Sequence, residues 1–456
     1  MRREIYIKTG IFMSLLLLLC GCSAYGSYKP YAAQDNEVAV PARWSTANPY
    51  IHSVFSNQLL ALVDHPSVAR LVEQTLAANY DLRRTAIRLQ EAQLVQYQAG
   101  LQGRPALDAK FESQRTKQLT TASEQTLSMD ISWELDVWGR LADARHATAA
   151  STWASELDLQ AARNSLAARV IQAWLDISYR RQIIALEQQW IANLVNSEHI
   201  IQEQILNGTK EPSDLDTARA ETAKARVSLA ARQHSQSKAI RSLNVLRGRT
   251  DTKQESTLID LPRIAAPPAQ LPGEVLGARP DLLAAYQRIV AADKQTAMAY
   301  KALLPKFTLT GSVSYSETSM HQLLEGSPLW KLLGGITAPL FDRGKITSEA
   351  QIAELKAERL YLAYQNQLLT AITEVENAME QEASLRKQQT YQQHAFDLYQ
   401  SSIRNNQARY QDGTIGILDY LEAKRAVFKT HIQLLETQQA RFSNRITLGL
   451  ALGMGV

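Results

Sequence analysis

Two regions of the chain alternate apolar and polar residues in the manner of β-strands that have one apolar and one polar face. They cover residues 105–137 and 306–340, and each contains two such runs. Because successive side chains of a strand point to opposite faces, this period of two predicts two pairs of strands. The apolar positions of the clearest runs are Leu107, Ala109, Phe111, Leu127, Met129, Ile131, Trp133, Leu135 and Val137 in the first region, and Phe307, Leu309, Val313 and Tyr315 in the second.

Alternation of this length has two interpretations. A strand of a membrane β-barrel needs about ten alternating residues, because one face meets lipid and the other meets water. A half-buried sheet of a soluble protein can show the same pattern. The last run, from Trp330 to Leu340, alternates less regularly than the others.

The segments that follow the strands favour the membrane interpretation. Residues 140–207 and 346–411 contain neither Gly nor Pro, which predicts two unbroken helices. At 1.5 Å per residue each helix would be about 100 Å long, far longer than a compact domain needs. In the first helix an apolar residue recurs every seventh position, as in a coiled-coil seam. These seam positions are Val170, Ile177, Ile184 and Ile191.

Shorter helices complete each half of the chain. After turns at Gly208 and Gly413, helical patterns resume over residues 213–247 and 414–450. Helices are also predicted before the strands, over residues 79–103 and 281–304. Stacked end to end, a return helix and the helix before the strands would match the length of one unbroken helix. Each chain then supplies two long helices and two composite columns.

The chain contains an internal repeat of about two hundred residues. Such a period is too long for a solenoid repeat and indicates two equivalent halves that arose by duplication. The halves are residues 79–260 and 279–456, joined by a Pro-rich linker over residues 261–278. Asp81, Leu82, Arg88, Ala92 and Pro105 recur two hundred positions later, and Gly139, Gly208, Thr209 and Asp214 recur as Gly344, Gly413, Thr414 and Asp419, 205 positions later.

Four strands cannot close a barrel on their own. An open sheet edge in hydrocarbon leaves main-chain N–H and C=O groups without partners, at several kcal/mol for each group. Several chains must therefore share one barrel. Two copies would give eight strands, and side chains fill the interior of such a barrel, so a conducting tube needs three or more chains. Three is the smallest solution, and four is also compatible with the sequence.

The N-terminus has the features of a lipoprotein signal peptide over residues 1–21. Three basic residues precede an apolar run, Ile11 to Leu19, that is too short to span a bilayer. Cys22 follows Gly21 and has Leu19 three positions before it, which resembles the lipobox of bacterial lipoproteins. We therefore predict a covalent lipid on Cys22 and a lipid-anchored segment over residues 22–78. An ordinary cleaved signal peptide is the alternative.

Composition and motifs give no indication of catalysis. The 49 Lys and Arg residues nearly balance 45 Asp and Glu, and a net charge of +4 gives no reason to expect binding to nucleic acid. The eight His residues lack metal-ligand spacing, and no phosphate-binding loop or nucleophile elbow occurs. We expect a protein that is not an enzyme and that holds no metal or cofactor.

Several motifs, in their order and duplication, resemble the TolC-like outer membrane factors of the lipoprotein (NodT-type) branch over nearly all of the mature chain. The motifs that carry this resemblance are Asn79-Tyr80-Asp81-Leu82, Trp133 through Arg140, Arg279-Pro280-Asp281-Leu282, Ala338 through Gly344, and Tyr410 through Ala423.

The resemblance implies an α+β membrane protein and a homotrimer. Its shared outer-membrane β-barrel, with four strands per chain, would continue as a long α-helical barrel in the periplasm. Such a protein serves as the exit duct of a tripartite efflux or secretion system. Its partners would be a periplasmic adaptor (a membrane fusion protein), an inner-membrane pump of the resistance-nodulation-division type, and the lipid of the outer membrane.

A gate is expected at the turns farthest from the strands. Gly208 and Gly413 mark these turns, and Asp419 and Glu422 lie three residues apart just beyond the second one. Carboxylates at this spacing share one helical face near an N-terminus that favours anions, although a solvated helix start has the same pattern. The resemblance implies that Asp419 and Glu422 line a periplasmic constriction.

The resemblance also implies that Asp214 and Tyr410 hold adjacent hairpins together. This sequence departs from the family pattern at Ile415, where a basic residue can complete the contact. Four nearby basic residues could replace it: Lys210, Arg219, Lys424 and Arg425.

Two other functions compete with an exit duct. A periplasmic adaptor or coiled-coil scaffold also has long helical hairpins, but it lacks the duplicated strand pairs. A lipid-anchored envelope hydrolase would need a catalytic site, for which the sequence offers no candidate residues.

Overall fold

The computed structural model describes most of the chain. It covers residues 28–34, 38–45, 58–63, 65–117, 121–250, 265, 272–323 and 326–456. The predicted signal peptide and the predicted lipid site at Cys22 lie outside the described residues. The described residues divide into two compact units, unit 1 within residues 28–38, 87–158 and 281–367, and unit 2 within residues 39–86, 159–280 and 368–456.

The described elements fall into two series with the same order. The first series is α1 (Pro66–Ala78), α2 (Tyr80–Leu101), β1 (Ala106–Lys117), β2 (Thr121–Leu135), α3 (Arg140–Leu206) and α4 (Pro212–Leu246). The second is α5 (Pro272–Ala278), α6 (Pro280–Lys301), β3 (Lys306–Glu317), β4 (Leu329–Thr337), α7 (Lys345–Gln411) and α8 (Ile417–Ala451).

The internal repeat of the sequence is visible in the helix bounds. Helices α3 and α7 have 67 residues each, α4 and α8 have 35 each, and α2 and α6 have 22 each. Helix α6 and strand β3 begin 200 positions after α2 and β1, and helices α7 and α8 begin 205 positions after α3 and α4. The chain therefore consists of two structural repeats.

Two details differ from the sequence prediction. The end of the Pro-rich linker forms a helix, α5, which is possible because Pro272 occupies the first helical position, where no N–H partner is needed. Helix α8 begins at Ile417 instead of residue 414, since Gly413 has φ +71° and Gly416 is extended with ψ 165°.

Unit 1 contains an antiparallel sheet with the order β1-β2-β3-β4. Its register aligns apolar side chains into rows that cross the sheet, because alternate residues of each strand share a face. One row joins Leu107, Ile131, Gly311 and Leu332, and the next joins Ala109, Met129, Val313 and Trp330.

The opposite face of the sheet is polar. It carries the row Asp108, Asp130, Ser312 and Lys331, with Lys110 Nζ 3.6 Å from Asp130 Oδ2. On β4, however, Leu329 and Leu333 also lie on this polar face, which explains why its alternation is weak in the sequence. The apolar residues of both outer strands are largely exposed, for example Leu107 (67%) and Trp330 (75%).

An irregular segment near the N-terminus is held by unit 1. The buried carboxylate of Asp293 on α6 accepts hydrogen bonds from Tyr28 Oη at 2.5 Å, Tyr31 N at 3.1 Å and Ala32 N at 2.8 Å. Burial, and next the hydrogen bond to this carboxylate, raise the pKa of the Tyr28 phenol. The N–H groups of Tyr31 and Ala32 thus find their hydrogen-bond acceptor in a helix side chain instead of in a neighbouring strand.

The core of unit 2 packs around the central part of α3. Val170, Ile177 and Ile184 of the predicted seam are at most 8% exposed, and Trp174 lies with Val170 and Ile177 in the same core. An apolar side chain at every seventh position keeps one face of α3 packed against the neighbouring helices. No helix in the described part of the chain is both long and apolar enough to cross a lipid bilayer.

A short polar junction joins helix ends in each repeat of unit 2. Asn79 caps α2 by accepting from Leu82 N at 2.9 Å, while its amide donates to Leu246 O at the end of α4 at 2.8 Å. In the second repeat, Arg279 takes this place and donates to Ala451 O at the end of α8 at 3.4 Å. In each repeat, the side chain that directly precedes the second helix thus donates to a carbonyl at the end of another helix. Without this donor the carbonyl would lack a hydrogen-bond partner.

Candidate gate at the hairpin turns

The two helical hairpins of unit 2 turn in the same way. Gly208 and Gly413 have φ of +70° and +71°, a conformation in which a side chain is strained. After each glycine a threonine bonds back to the preceding helix through both its N–H and its hydroxyl. Thr209 contacts Gln204 O at 2.9 Å with both groups, and Thr414 contacts Arg409 O at 2.8 Å with both.

An apolar cluster, here called the tip cluster, holds the two hairpins together beside these turns. Its buried members come from α3, α4 and α8, and all are at most 9% exposed. They are Leu194, Ile201, Ala218, Ile417, Tyr420 and Leu421. Ile415, at which the sequence departs from the family pattern, packs against this cluster. An apolar side chain therefore suits this position better than a basic one.

Tyr410 and Asp214 have separate partners in this structure. The Tyr410 ring stacks on Tyr420, with centroids 5.3 Å apart and planes within 4°. Asp214 forms an ion pair with Lys210, one helical turn earlier, with Oδ2 3.3 Å from Nζ. The Tyr410 ring thus joins the two helices of one hairpin, α7 and α8. Asp214 lies in the first turn of α4, where a carboxylate is favourable.

Asp419 and Glu422 are exposed in the first turns of α8. Asp419 Oδ2 accepts from Gly416 N at 3.2 Å and so caps the helix start. Glu422 lies 3.8 Å from Arg425 Nη1, but its side chain remains 76% exposed. Both carboxylates are accordingly accessible to solvent.

The basic residues near the turns have different roles. Lys424 Nζ donates to Asn193 Oδ1 at 3.2 Å and lies 4.8 Å from the centroid of the Tyr420 ring. Burial lowers the pKa of Lys424. Arg425 lies 3.3 Å from Glu221 Oε2, and the pKa of Glu221 is lowered first by its hydrogen bond from Lys224 and then by the Arg425 charge.

A cavity of about 240 Å³ lies between α3, α4 and α8, next to the tip cluster. Its lining combines apolar side chains with the charged groups just described. The lining residues are Trp190, Leu194, Thr217, Ala218, Glu221, Leu418, Leu421, Glu422 and Arg425. The space between the hairpins is thus incompletely filled, which favours a region that can rearrange.

Two aromatic contacts at the tip were not predicted from the sequence. Trp190 stacks on Phe428 with ring centroids 5.5 Å apart, and Tyr420 is the partner of Tyr410. The Trp190–Phe428 pair joins helices that are distant along the chain, so helical periodicity alone cannot identify it. The described residues contain no cluster of three or more His, Cys, Asp or Glu side chains suited to a metal ion.

The chain matches the family model described as outer membrane efflux protein over residues 71–249 and 271–454. It is 26% identical to the cation efflux system protein CusC of Escherichia coli K12, over 96% of this chain and 97% of that protein. It is 25% identical to the probable outer membrane lipoprotein SilC of Salmonella typhimurium, over 97% of this chain and 98% of that protein.

A solved structure shows the same fold. The open state of the Neisseria gonorrhoeae MtrE outer membrane channel matches with a TM-score of 0.83 at 24% identity, over 95% of this chain and 98% of that chain. The chain therefore belongs to the outer membrane efflux protein family, whose members are transport channels. Its fold is that of the trimeric outer membrane channels, in which each chain supplies four strands and periplasmic helices. Its function is that of an exit duct in the outer membrane.

We predict that Tyr410 acts through its ring and not through its hydroxyl. Y410F keeps the stacking on Tyr420 and should leave local stability unchanged. Y410A removes the aromatic pair and should lower the free energy of local opening by about 1 to 3 kcal/mol. Amide hydrogen exchange in the first turns of α8 measures this free energy. Equal destabilisation by Y410F and Y410A would show that the hydroxyl carries the contact.

Proposed function

We propose that the turns at Gly208 and Gly413 form the periplasmic gate of this exit duct. Asp419, Glu422, Asp214 and Tyr410 would be the gate residues. The observation that carries this proposal is the exposure of both the Asp419 and Glu422 carboxylates directly after the second turn. If the protein were instead a non-conducting adaptor or scaffold, these carboxylates would only keep the start of α8 hydrated.

Charge supports a role for Asp419 and Glu422 in ion passage. They lie three residues apart, so both project from one face of α8, close to a helix N-terminus that stabilises negative charge. With three chains, the two positions would form a ring of carboxylates at the constriction. Such a ring attracts cations and raises their local concentration.

The tip cluster supports a gate that is held closed by packing. Tyr410, Ile415 and Tyr420 contribute aromatic and aliphatic surface to the contact between the hairpins. Separating the hairpins exposes this surface to water, which costs free energy in proportion to the apolar area. A partner that binds the separated form more tightly could supply this free energy.

We further propose that the duct works with a periplasmic adaptor and an inner-membrane pump of the resistance-nodulation-division type. The sequence has no phosphate-binding loop, so energy must come from another protein. The family membership supports an assembly of three components. In this assembly the duct conducts passively and its partners open the gate.

The lipid anchor and the domain division belong to the same proposal. Cys22 would carry a covalent lipid, as the name of the relative SilC, a probable outer membrane lipoprotein, suggests. The mature chain would then comprise the anchored segment 22–78, the repeats 79–260 and 279–456, and the linker 261–278.

The gate is tested by removing charge without changing side-chain shape. For D419N/E422Q in planar bilayers, we expect at least about tenfold weaker block by a multivalent cation such as hexamminecobalt added on the periplasmic side, or about 1.4 kcal/mol of lost binding. The control E380Q/D397N removes the same number of exposed carboxylates from α7. If the multivalent cation blocks D419N/E422Q as strongly as it blocks the wild type, these two residues only keep the start of α8 hydrated and do not form a gate.

The partner assignment is tested in native membranes. We expect that chemical cross-linking followed by affinity purification of the duct recovers an adaptor together with a resistance-nodulation-division pump. Recovery of an adaptor with an ATP-hydrolysing transporter would show that the proposed pump class is wrong. It would not affect the proposal of a gate.

The anchor is tested by mass spectrometry of the protein extracted from membranes. We expect a chain that begins at Cys22 and carries the added mass of acyl chains. C22S should lack this mass and should be depleted from the outer membrane, because the acyl chains add to the membrane affinity of the chain. An unmodified thiol at Cys22 in the wild-type protein would contradict the anchor.

A further inference from the structure

A second cavity of unit 2 lies beside the one described above, between the same three helices, α3, α4 and α8. Its volume is about 170 Å³. Both cavities are lined by Trp190, Glu221 and Arg425, so they adjoin. Together they form a cleft between the two hairpins, here called the hairpin cleft. Its charged end lies at Glu187, and its apolar end lies at the tip cluster.

The charged end of the hairpin cleft contains a buried carboxylate with one unused oxygen. Glu187 of α3 lines the smaller cavity, and its side chain is 6% exposed. Its Oε1 accepts from Ser228 Oγ at 2.7 Å and from Arg232 Nε at 2.8 Å. Its Oε2 is buried and has no hydrogen-bond partner among the residues that the structure describes. Because a buried carboxylate oxygen without a donor is costly, the cleft favours a ligand that brings one.

Arg232 neutralises Glu187 only in part. Its Nη1 also lies 3.3 Å from Oε1 of Glu436 on α8, so two carboxylates share one guanidinium. The negative charge that remains at Glu187 makes a positively charged donor more favourable than a neutral one. An ammonium group meets both needs, since it carries a charge and has N–H groups to donate.

The same cavity offers a positive charge to a second group of the ligand. Lys429 of α8 lines the cavity and is exposed. Lys224 and Arg425 also line it, but both are paired with Glu221. None of the ion pairs within the described residues includes Lys429. Its ammonium group is therefore available to an anionic group of the ligand, such as a carboxylate.

Aromatic and aliphatic side chains lead from these charges to the tip cluster. Trp190 stacks on Phe428 with ring centroids 5.5 Å apart, and both rings line the smaller cavity. Trp190 also lines the adjoining cavity, together with Leu194 and Leu421. An apolar group that extends from the charged end along Trp190 would leave water, which is favourable.

The internal repeat indicates that these groups are not needed to build a hairpin. At an offset of 205, the residues of α7 equivalent to Glu187 and Trp190 are Gln392 and Ala395. The second hairpin nevertheless has a long helix of the same length and the same type of turn. A buried carboxylate beside an aromatic wall is thus a feature of the first hairpin and not of the shared fold.

We propose that the hairpin cleft binds a small zwitterion with an apolar side chain, that is, a free α-amino acid such as leucine. The ammonium group donates to Glu187 Oε2, the carboxylate pairs with Lys429, and the side chain lies along Trp190. The smaller cavity, of about 170 Å³, has the volume of about six water molecules, which suits the two charged groups. The adjoining cavity takes the side chain. The site does not depend on the gate proposed above, because binding requires only the observed arrangement of α3, α4 and α8.

Three ligands with the same branched side chain test the class of ligand. Isoamylamine is leucine without its carboxylate, and isocaproate is leucine without its ammonium group. Binding to the trimer in detergent is measured by saturation-transfer NMR, with empty micelles as the blank. We expect L-leucine to bind with a Kd of about 1 mM, which a ligand of about nine non-hydrogen atoms can reach. Each of the other two should bind at least about tenfold more weakly, because one ionic contact is lost.

Three outcomes of this comparison would overturn the proposal. Isoamylamine that binds as tightly as L-leucine would show that the site does not hold the carboxylate. Isocaproate that binds as tightly as L-leucine would show that the site does not hold the ammonium group. No saturable binding of L-leucine would show that the cleft is not a site for amino acids.

The position of the ligand is tested with variants that remove single charges. E187Q should weaken the binding of L-leucine and of isoamylamine at least about tenfold. K429Q should weaken L-leucine by a similar factor and leave isoamylamine unchanged, because isoamylamine has no carboxylate. The matched control E436Q removes the other carboxylate that contacts Arg232, which does not line the cavity, and should leave the binding of all three ligands unchanged.

K429Q keeps the test decisive if E187Q fails to assemble, since Lys429 is exposed and its replacement leaves the buried ion pair intact. Unchanged binding of L-leucine in E187Q or in K429Q would place the ligand elsewhere and contradict the proposal. An equal loss of binding in E436Q and E187Q would show that the charges act through Arg232 and not by contact with the ligand.

Discussion

The free main-chain groups along the outer edges of β1 and β4 determine how the chain can assemble in a membrane. A four-stranded sheet with an apolar face has two edges, and lipid offers no partner for their N–H and C=O groups. Edge pairing between copies removes this cost. A chain with four strands, two long helices and the fold of a trimeric channel follows from that requirement.

Duplication lets one set of local solutions serve twice with different chemistry. Asn79 and Arg279 occupy equivalent places and both donate to the last turn of a helix, yet one is an amide and the other a guanidinium. The Gly208 and Gly413 turns are alike, with the same threonine contacts. The long helices and the hairpin turns are repeated in length and geometry, whereas the side chains at equivalent places differ.

Periodicity was enough to predict most of the fold. Strands β1 to β3 alternate clearly, and α3 and α7 lack Gly and Pro, so their positions follow from local rules. Strand β4 was harder because Leu329 and Leu333 break the alternation on its polar face. The attachment of the N-terminal segment to Asp293 has no periodic pattern and depends on contacts between residues far apart in the chain.

The proposed gate residues show the same limit. The spacing of Asp419 and Glu422 placed them on one helical face, but no pattern in the sequence pairs Tyr410 with Tyr420. Ile415 looked like a defect in a polar contact, and the structure shows it as part of an apolar one. Partners within a packed tip depend on tertiary geometry, which a single sequence does not contain.

Native mass spectrometry of the purified protein in detergent shows whether one chain is an incomplete barrel, because it counts the chains in the assembled species. We expect a single species of three chains, with circular dichroism showing both strand and helix. A water-soluble species of one chain that keeps the four-stranded sheet would show that one chain can satisfy its own sheet edges.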